Sequence, residues 1–248
     1  MRVSSTELQN NFGKYLMLAT HEDIIVTRNG TEIAKLTSIE KNKQNQTIFI
    51  EHIKENFSLD GFGQKATYDE FMKLRQESEE RYEYIDGEIH LLASPNTKHQ
   101  IAVGELYFNF YNFFQGKDCT PIIAPYDIEL KKPTGQISTV QPDLVVICDL
   151  EKSLNEDESY KDIPSLTVEV LSKSTRDKDL ILKLNLYKDC GVKEYWIVNL
   201  ENKEVTIYEF EDKNIKQLTT YRHNEIAHSY LYDDLKIDVK KLFRETIF

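Results

Sequence analysis

Two carboxylates set in apolar company are the first residues whose types and spacing suggest chemistry. In Pro142-Asp143-Leu144-Val145-Val146-Ile147 an aspartate stands at the mouth of an apolar run. Twenty-six residues later, Thr167-Val168-Glu169-Val170-Leu171 places a glutamate in the middle of another. A strand buried on both faces is destabilised by a glutamate unless something pairs with it. Two carboxylates about 4 Å apart repel by roughly 4 kcal/mol at an effective dielectric near 20, so a shared site needs a proton or a cation. Mg2+ or Mn2+ answers that need, because hard cations take oxygen ligands, keep several waters and can activate one of them against a phosphodiester. Each carboxylate also has a plainer reading: Pro-Asp as a turn dipeptide, and Glu169 as the ion-pair partner of a nearby lysine.

The next candidates are Asp179, Lys183 and Tyr187, whose i, i+4, i+8 spacing lines one face of a helix. A lysine there can lie over a metal site, orient the attacking water and stabilise charge on the phosphate in the transition state. The plainer alternative is an Asp179–Lys183 pair on a surface helix.

These residues must be positioned by strands and helices that the patterning outlines. Strands are expected over about 122–130, 139–147, 166–171, 194–198 and 204–210, with a helix from Asp177 to Cys190 stopped by Gly191. Upstream, Thr67-x-x-Glu70 caps a helix through Ser78. The segment Arg81 to Leu92 reads as strand, Asp86-Gly87 turn, strand, and Ser94-Pro95 opens a long helix carrying Ile101, Leu106, Phe110 and Phe113. Helices and strands interspersed without strict alternation predict an α/β protein of mixed α+β type, a mixed sheet flanked by helices. The first forty residues form a separate unit. Ser4-x-x-Glu7 has the form of a capping box, and Leu8, Phe12, Tyr15, Leu16 and Ala19 then mark one helix face. Asn29-Gly30 between apolar runs is a hairpin signal. Such a helix–hairpin unit has little surface to bury alone, which predicts pairing with a second copy. The expected organisation is 1–40 as this unit, 41–66 as linker and 67–248 as the main domain.

Composition narrows the function classes. A net charge of −11 over 248 residues excludes a protein that coats nucleic acid non-specifically, since that mode needs many basic contacts to phosphates. The stretch Ser172 to Lys193 nevertheless holds six basic residues, among them Lys173 and Arg176, against three acidic ones, a local excess suited to phosphate or simply a solvated helix face. No signal-like or bilayer-length apolar run occurs, which predicts a cytoplasmic protein with no membrane partner. Cys119, Cys148 and Cys190, odd in number and widely spaced, read as small core residues rather than a disulfide framework. No Gly-rich phosphate loop or nucleophile elbow appears, and no small organic cofactor is expected.

The run from Glu169 through Ser172-Lys-Ser-Thr-Arg176-Asp-Lys-Asp179 to Lys183 and Tyr187, continuing to Gly191-Val-Lys-Glu-Tyr-Trp196-Ile-Val198, resembles the Uma-two family of the PD-(D/E)XK restriction-endonuclease-like superfamily. Tyr82-Glu83-Tyr84-Ile85-Asp86-Gly87-Glu88 and Ser94-Pro95-Asn96-Thr97-Lys98-His99 match that family's opening segments. The resemblance spans roughly Thr67 to Phe243 and implies a DNA endonuclease with metal ligation by Asp143 and Glu169 and Lys183 as the active-site lysine. In the superfamily that lysine usually follows the glutamate by two residues, a position held here by Leu171. The superfamily also offers Glu83 as a third acidic contributor. His99, Asp179 and Tyr187 stand as supporting residues, with His99 read first as a capping or core-edge residue. Residues 1 to 40 are similar to the Phd/YefM antitoxin domain, which implies a homodimer and DNA contact through Arg28; another family arginine is Gln9 here. The rival reading is a catalytically inactive DNA-binding regulator of antitoxin type.

Overall fold

The structure is a computed structural model that describes residues 2–4, 8, 15, 19, 23–28, 30–36, 63–148, 150, 160, 162–172 and 178–243. The chain divides into two compact units, Met1–Phe49 and Ile50–Phe248.

In the first unit β1 (Arg2–Ser4) runs parallel to β2 (Ile24–Arg28), which pairs antiparallel with β3 (Thr31–Leu36) across a turn where Gly30 takes φ 80°. Leu8, Tyr15 and Ala19 are helical, and Tyr15 and Ala19 close on Val3, Ile24 and Val26. The hairpin expected from sequence is therefore present, three residues of the expected helix face are helical, and Ser4, read as a helix cap, ends a strand. Glu7, Phe12, Leu16 and Asn29 lie outside the described residues.

The second unit runs β4 (Gln64–Lys65), α1 (Tyr68–Glu77), β5 (Tyr82–Ile85), β6 (Glu88–Leu91), α2 (Thr97–Phe114), β7 (Cys119–Ile123), β8 (Ile128–Lys131), β9 (Ile137–Val140), β10 (Leu144–Cys148) and β11 (Leu166–Leu171). A π-helix (Lys178–Lys183) then leads into α3 (Leu184–Cys190), β12 (Glu194–Asn199), β13 (Glu204–Glu211), β14 (Asn214–Arg222), β15 (Ile226–His228), β16 (Lys236–Asp238) and the short α4 (Val239–Leu242). A five-stranded sheet has the order β4-β6-β5-β9-β8, and a six-stranded one β14-β13-β12-β11-β10-β7, in which β11 and β12 are parallel and their neighbours antiparallel. The six-stranded sheet is covered on both sides. Ala102, Leu106 and Phe110 of α2 pack with Val146, Val168 and Trp196, while Leu186 and Tyr187 of α3 pack with Val145, Ile147, Tyr195 and Ile197. The fold is the mixed α+β arrangement that the sequence predicts. Among the described residues no helix is long and apolar enough to cross a membrane.

Several expectations are corrected. The two runs read as single strands, 122–130 and 139–147, each break and pass from one sheet to the other, at the cis Ala124–Pro125 bond and at Gln141-Pro142-Asp143. Proline gives no N–H to a ladder, so these are natural places to leave one. The long helix opens two residues later than Ser94-Pro95 suggests, because Asn96 caps it by accepting from His99 N at 3.0 Å. Gln64 and Lys65, inside the stretch read as linker, pair with β6. Cys119 and Cys148, read as isolated core residues, face each other across β7 and β10 and form a disulfide; Cys190 alone is the buried free thiol.

Candidate active site

Glu169 lies at the centre of β11, all six of whose residues are buried, with β10 on one side and β12 on the other. Its Oε1 accepts from Lys183 Nζ at 2.7 Å and from Tyr187 OH at 2.8 Å. The lysine that the plainer reading required is thus the same lysine that the chemical reading required. Lys183 also contacts Glu83 Oε1 at 2.8 Å and Asp179 Oδ1 at 3.6 Å. Asp143, just before β10, is tied to β11 beside Glu169, where its Oδ2 accepts from Val170 N at 2.7 Å. The same oxygen lies 3.2 Å from His99 Nε2. His99 therefore does both jobs considered for it: its backbone N–H is held by the Asn96 cap and its ring faces the site.

Glu83 comes from the other sheet. It sits on β5, fully buried, and both carboxylate oxygens are engaged: Oε1 by Gln141 N at 2.9 Å and by Lys183, Oε2 by Lys178. Glu83 is thus a buried carboxylate held by two ammonium groups. Burial alone would raise its pKa, but Lys178 and Lys183 outweigh it and hold Glu83 at about 2. Glu169 behaves oppositely. Burial drives its pKa well above the usual carboxylate range, Lys183 opposes this, and Asp179, Asp143 and Glu83 add to the rise. Burial works against the charge on Lys183, yet Glu169, Glu83 and Asp179 together raise its pKa well above the ordinary lysine value. Burial likewise works against a charged His99, and the hydrogen bond and charge of Asp143 overcome it, raising its pKa.

Asp143, Glu169, Asp179, Lys178, Lys183 and His99 line a cavity of about 470 Å³ whose walls include Arg81, Asn96, Pro125 and Gln141. Three carboxylates of that lining, Asp143, Glu169 and Asp179, and the buried Glu83 behind it share two ammonium groups and one imidazole. Gln141 Oε1 and His99 Nδ1 are buried in the same lining without a hydrogen-bond partner. Among the described residues no group of three or more His, Cys, Asp or Glu is placed to hold a metal ion. An oxygen-donor set with two carboxylates and room for water suits a hard, hydrated cation such as Mg2+, which is bound through one or two carboxylates, better than structural zinc.

The structure therefore brings together Asp143, Glu169, Lys183, Glu83, His99, Asp179 and Tyr187. Arg28 is exposed at the end of β2 in the first unit, and Lys173 and Arg176 lie outside the described residues. Lys178, which pairs with Glu83 and lines the cavity, is not singled out by the sequence reading, which counts it only as part of a basic stretch.

Residues 68–240 match the family model Uma2, described as "Putative restriction endonuclease". The chain belongs to that family. Residues 1–56 match the model "Antitoxin Phd_YefM, type II toxin-antitoxin system", which joins an antitoxin-like domain to the Uma2 domain. An uncharacterized protein of Synechocystis sp. is 26% identical over 162 residues, 65% of this chain and 83% of that protein. A crystal structure of a protein from Anabaena variabilis, described as "a putative nuclease", superposes with TM-score 0.56 at 20% identity, covering 72% of this chain and 97% of that one. The Uma2 domain thus shares the fold of that protein, and the family match supports a nuclease-like role.

Proposed function

We propose that the chain is a divalent-metal-dependent endonuclease hydrolysing phosphodiester bonds of DNA, with Asp143 and Glu169 holding Mg2+ or Mn2+. The observation that carries this reading is the meeting of two carboxylates from different strands, Asp143 and Glu169, in one cavity, with the buried Lys183 ammonium 2.7 Å from a Glu169 oxygen. When bound, the ion would lower the pKa of a coordinated water and polarise the phosphate. The residues of the chain do the rest. Tyr187 OH fixes Glu169 Oε1, and His99 and the Val170 amide fix Asp143 Oδ2, so both carboxylates are oriented before any ligand arrives. The Lys183 ammonium, kept charged by its carboxylate neighbours, offsets negative charge developing on the phosphate. Lys173 and Arg176 contact the DNA backbone. The N-terminal unit pairs two chains and, through Arg28, touches DNA.

The test is to incubate the purified protein with plasmid, linear and branched DNA, with and without Mg2+ or Mn2+, beside Asp143→Ala and Glu169→Ala. Metal-dependent cleavage lost in both variants is the expected result; cleavage that survives both places the activity elsewhere. If the wild type shifts DNA in gels yet never cuts it, the antitoxin-like domain carries the function and the protein is a regulator. Binding unchanged by Arg28→Ala removes the proposed arginine contact.

A further inference from the structure

Lys178 and Lys183 are five residues apart, and both ammonium groups meet the single carboxylate of Glu83. An α-helix turns about 100° per residue, so residues five apart lie about 140° apart around it and cannot share a target this way. The segment Lys178–Lys183 is instead a π-helix, whose i to i+5 pairing stacks residues five apart. The wider turn brings Lys178 in beside Lys183, and both side chains are buried, 8% and 3% exposed.

We propose that Lys178 is a positioning residue and that Glu83 is no metal ligand but the fixed seat on which Lys183 is held. The inference rests on the nuclease reading of this site and deepens it. Glu83 has no oxygen to offer a cation without releasing a lysine or the Gln141 amide. Lys178 satisfies one of its oxygens, which leaves Lys183 shared between Glu83 and Glu169 rather than drawn wholly onto Glu83. Lys183 consequently stands at the cavity, 2.7 Å from a Glu169 oxygen.

The experiment compares Lys178→Met, Lys178→Arg and Glu83→Gln with wild type in three measurements. These are Mn2+ binding by calorimetry, kcat and KM on plasmid DNA, and the Lys183 ammonium resonance in 15N-lysine-labelled protein, assigned with Lys183→Arg. Neither residue touches the ion in this scheme, so Mn2+ affinity should stay within about threefold in all three variants. In Lys178→Met, kcat should fall on the order of 10²-fold with KM little changed, as a misplacement near 1 Å produces, and the Lys183 resonance should move. Lys178→Arg should restore both. Loss of Mn2+ binding in Glu83→Gln overturns the proposal by making Glu83 a ligand. A Lys183 resonance and a kcat unmoved by Lys178→Met overturn it as well. If the wild type cleaves no DNA, the nuclease reading fails, and the resonance by itself still decides whether Lys178 positions Lys183.

Discussion

Lys183 contacts three buried carboxylates at once, and its removal takes from Glu83, Glu169 and Asp179 the positive charge they share. Breaking a buried ion pair from one side typically costs about 3–5 kcal/mol, and Lys183→Met should lose that much in urea unfolding. A loss under about 1 kcal/mol would mean the carboxylates are already protonated or hydrated in the native state. A separate contribution to acid stability comes from a different residue. His90 is buried with Nε2 unpartnered, and burial together with the Lys178 charge lowers its pKa from 6.5 to about 4. Between those values the unfolded chain takes up a proton that the native one refuses, so stability falls as pH drops through this window, by at most roughly 3 kcal/mol. His90→Gln should flatten the change in urea midpoint between pH 6.5 and 4.5. Glu83 cannot mimic the effect between pH 6.5 and 4.5, because its contribution is complete above the ordinary carboxylate pKa and is lost as pH falls from there through about 2. His99 has the opposite sign to His90: its contribution is complete below pH 6.5 and fades as pH rises through its raised pKa.

At the scale of elements, Gly191 ends α3 in the left-handed region, φ 95°, with its N–H on the Tyr187 and Lys188 carbonyls. Gly191→Ala should cost about 1 kcal/mol in thermal or urea unfolding. Gly63→Ala should be worse, because a Cβ there would come 2.4 Å from His90 Cε1, and a melting temperature equal to wild type would contradict the packing described. Gly191 was legible as a stop signal and Gly63 was not, since its constraint comes from a side chain 27 positions away in sequence. The same division runs through the site. Glu169 and Asp143 were readable because a charge inside an apolar run is locally anomalous. Lys178 was hidden because α-helical periodicity puts it on the wrong face, and the two split strands were hidden because a proline break does not reveal that the chain changes sheets. β14 escaped notice for a related reason: as an edge strand exposed along most of its length, it has no alternation to read.

At the scale of the molecule, the disulfide joins residues 29 apart, and a loop of that length should contribute roughly 3–4 kcal/mol. Denatured, unreduced protein should titrate one thiol per chain, Cys190, and reduced protein three; three thiols without reductant would show the pair to be open. Light scattering should find a dimer for the full chain and a monomer for residues 50–248 if the N-terminal unit pairs two copies. A dimeric fragment would move the pairing surface into the Uma2 domain. A last consequence follows from the separate origins of the site's acids. Glu83 belongs to one sheet, Glu169 to the other, and Lys183 grips both. The ammonium therefore acts as an interlock: it reaches its working place only when the two sheets have closed on each other correctly, so a half-assembled chain is chemically silent. By linkage, an ion that favours the closed arrangement would tighten the whole domain.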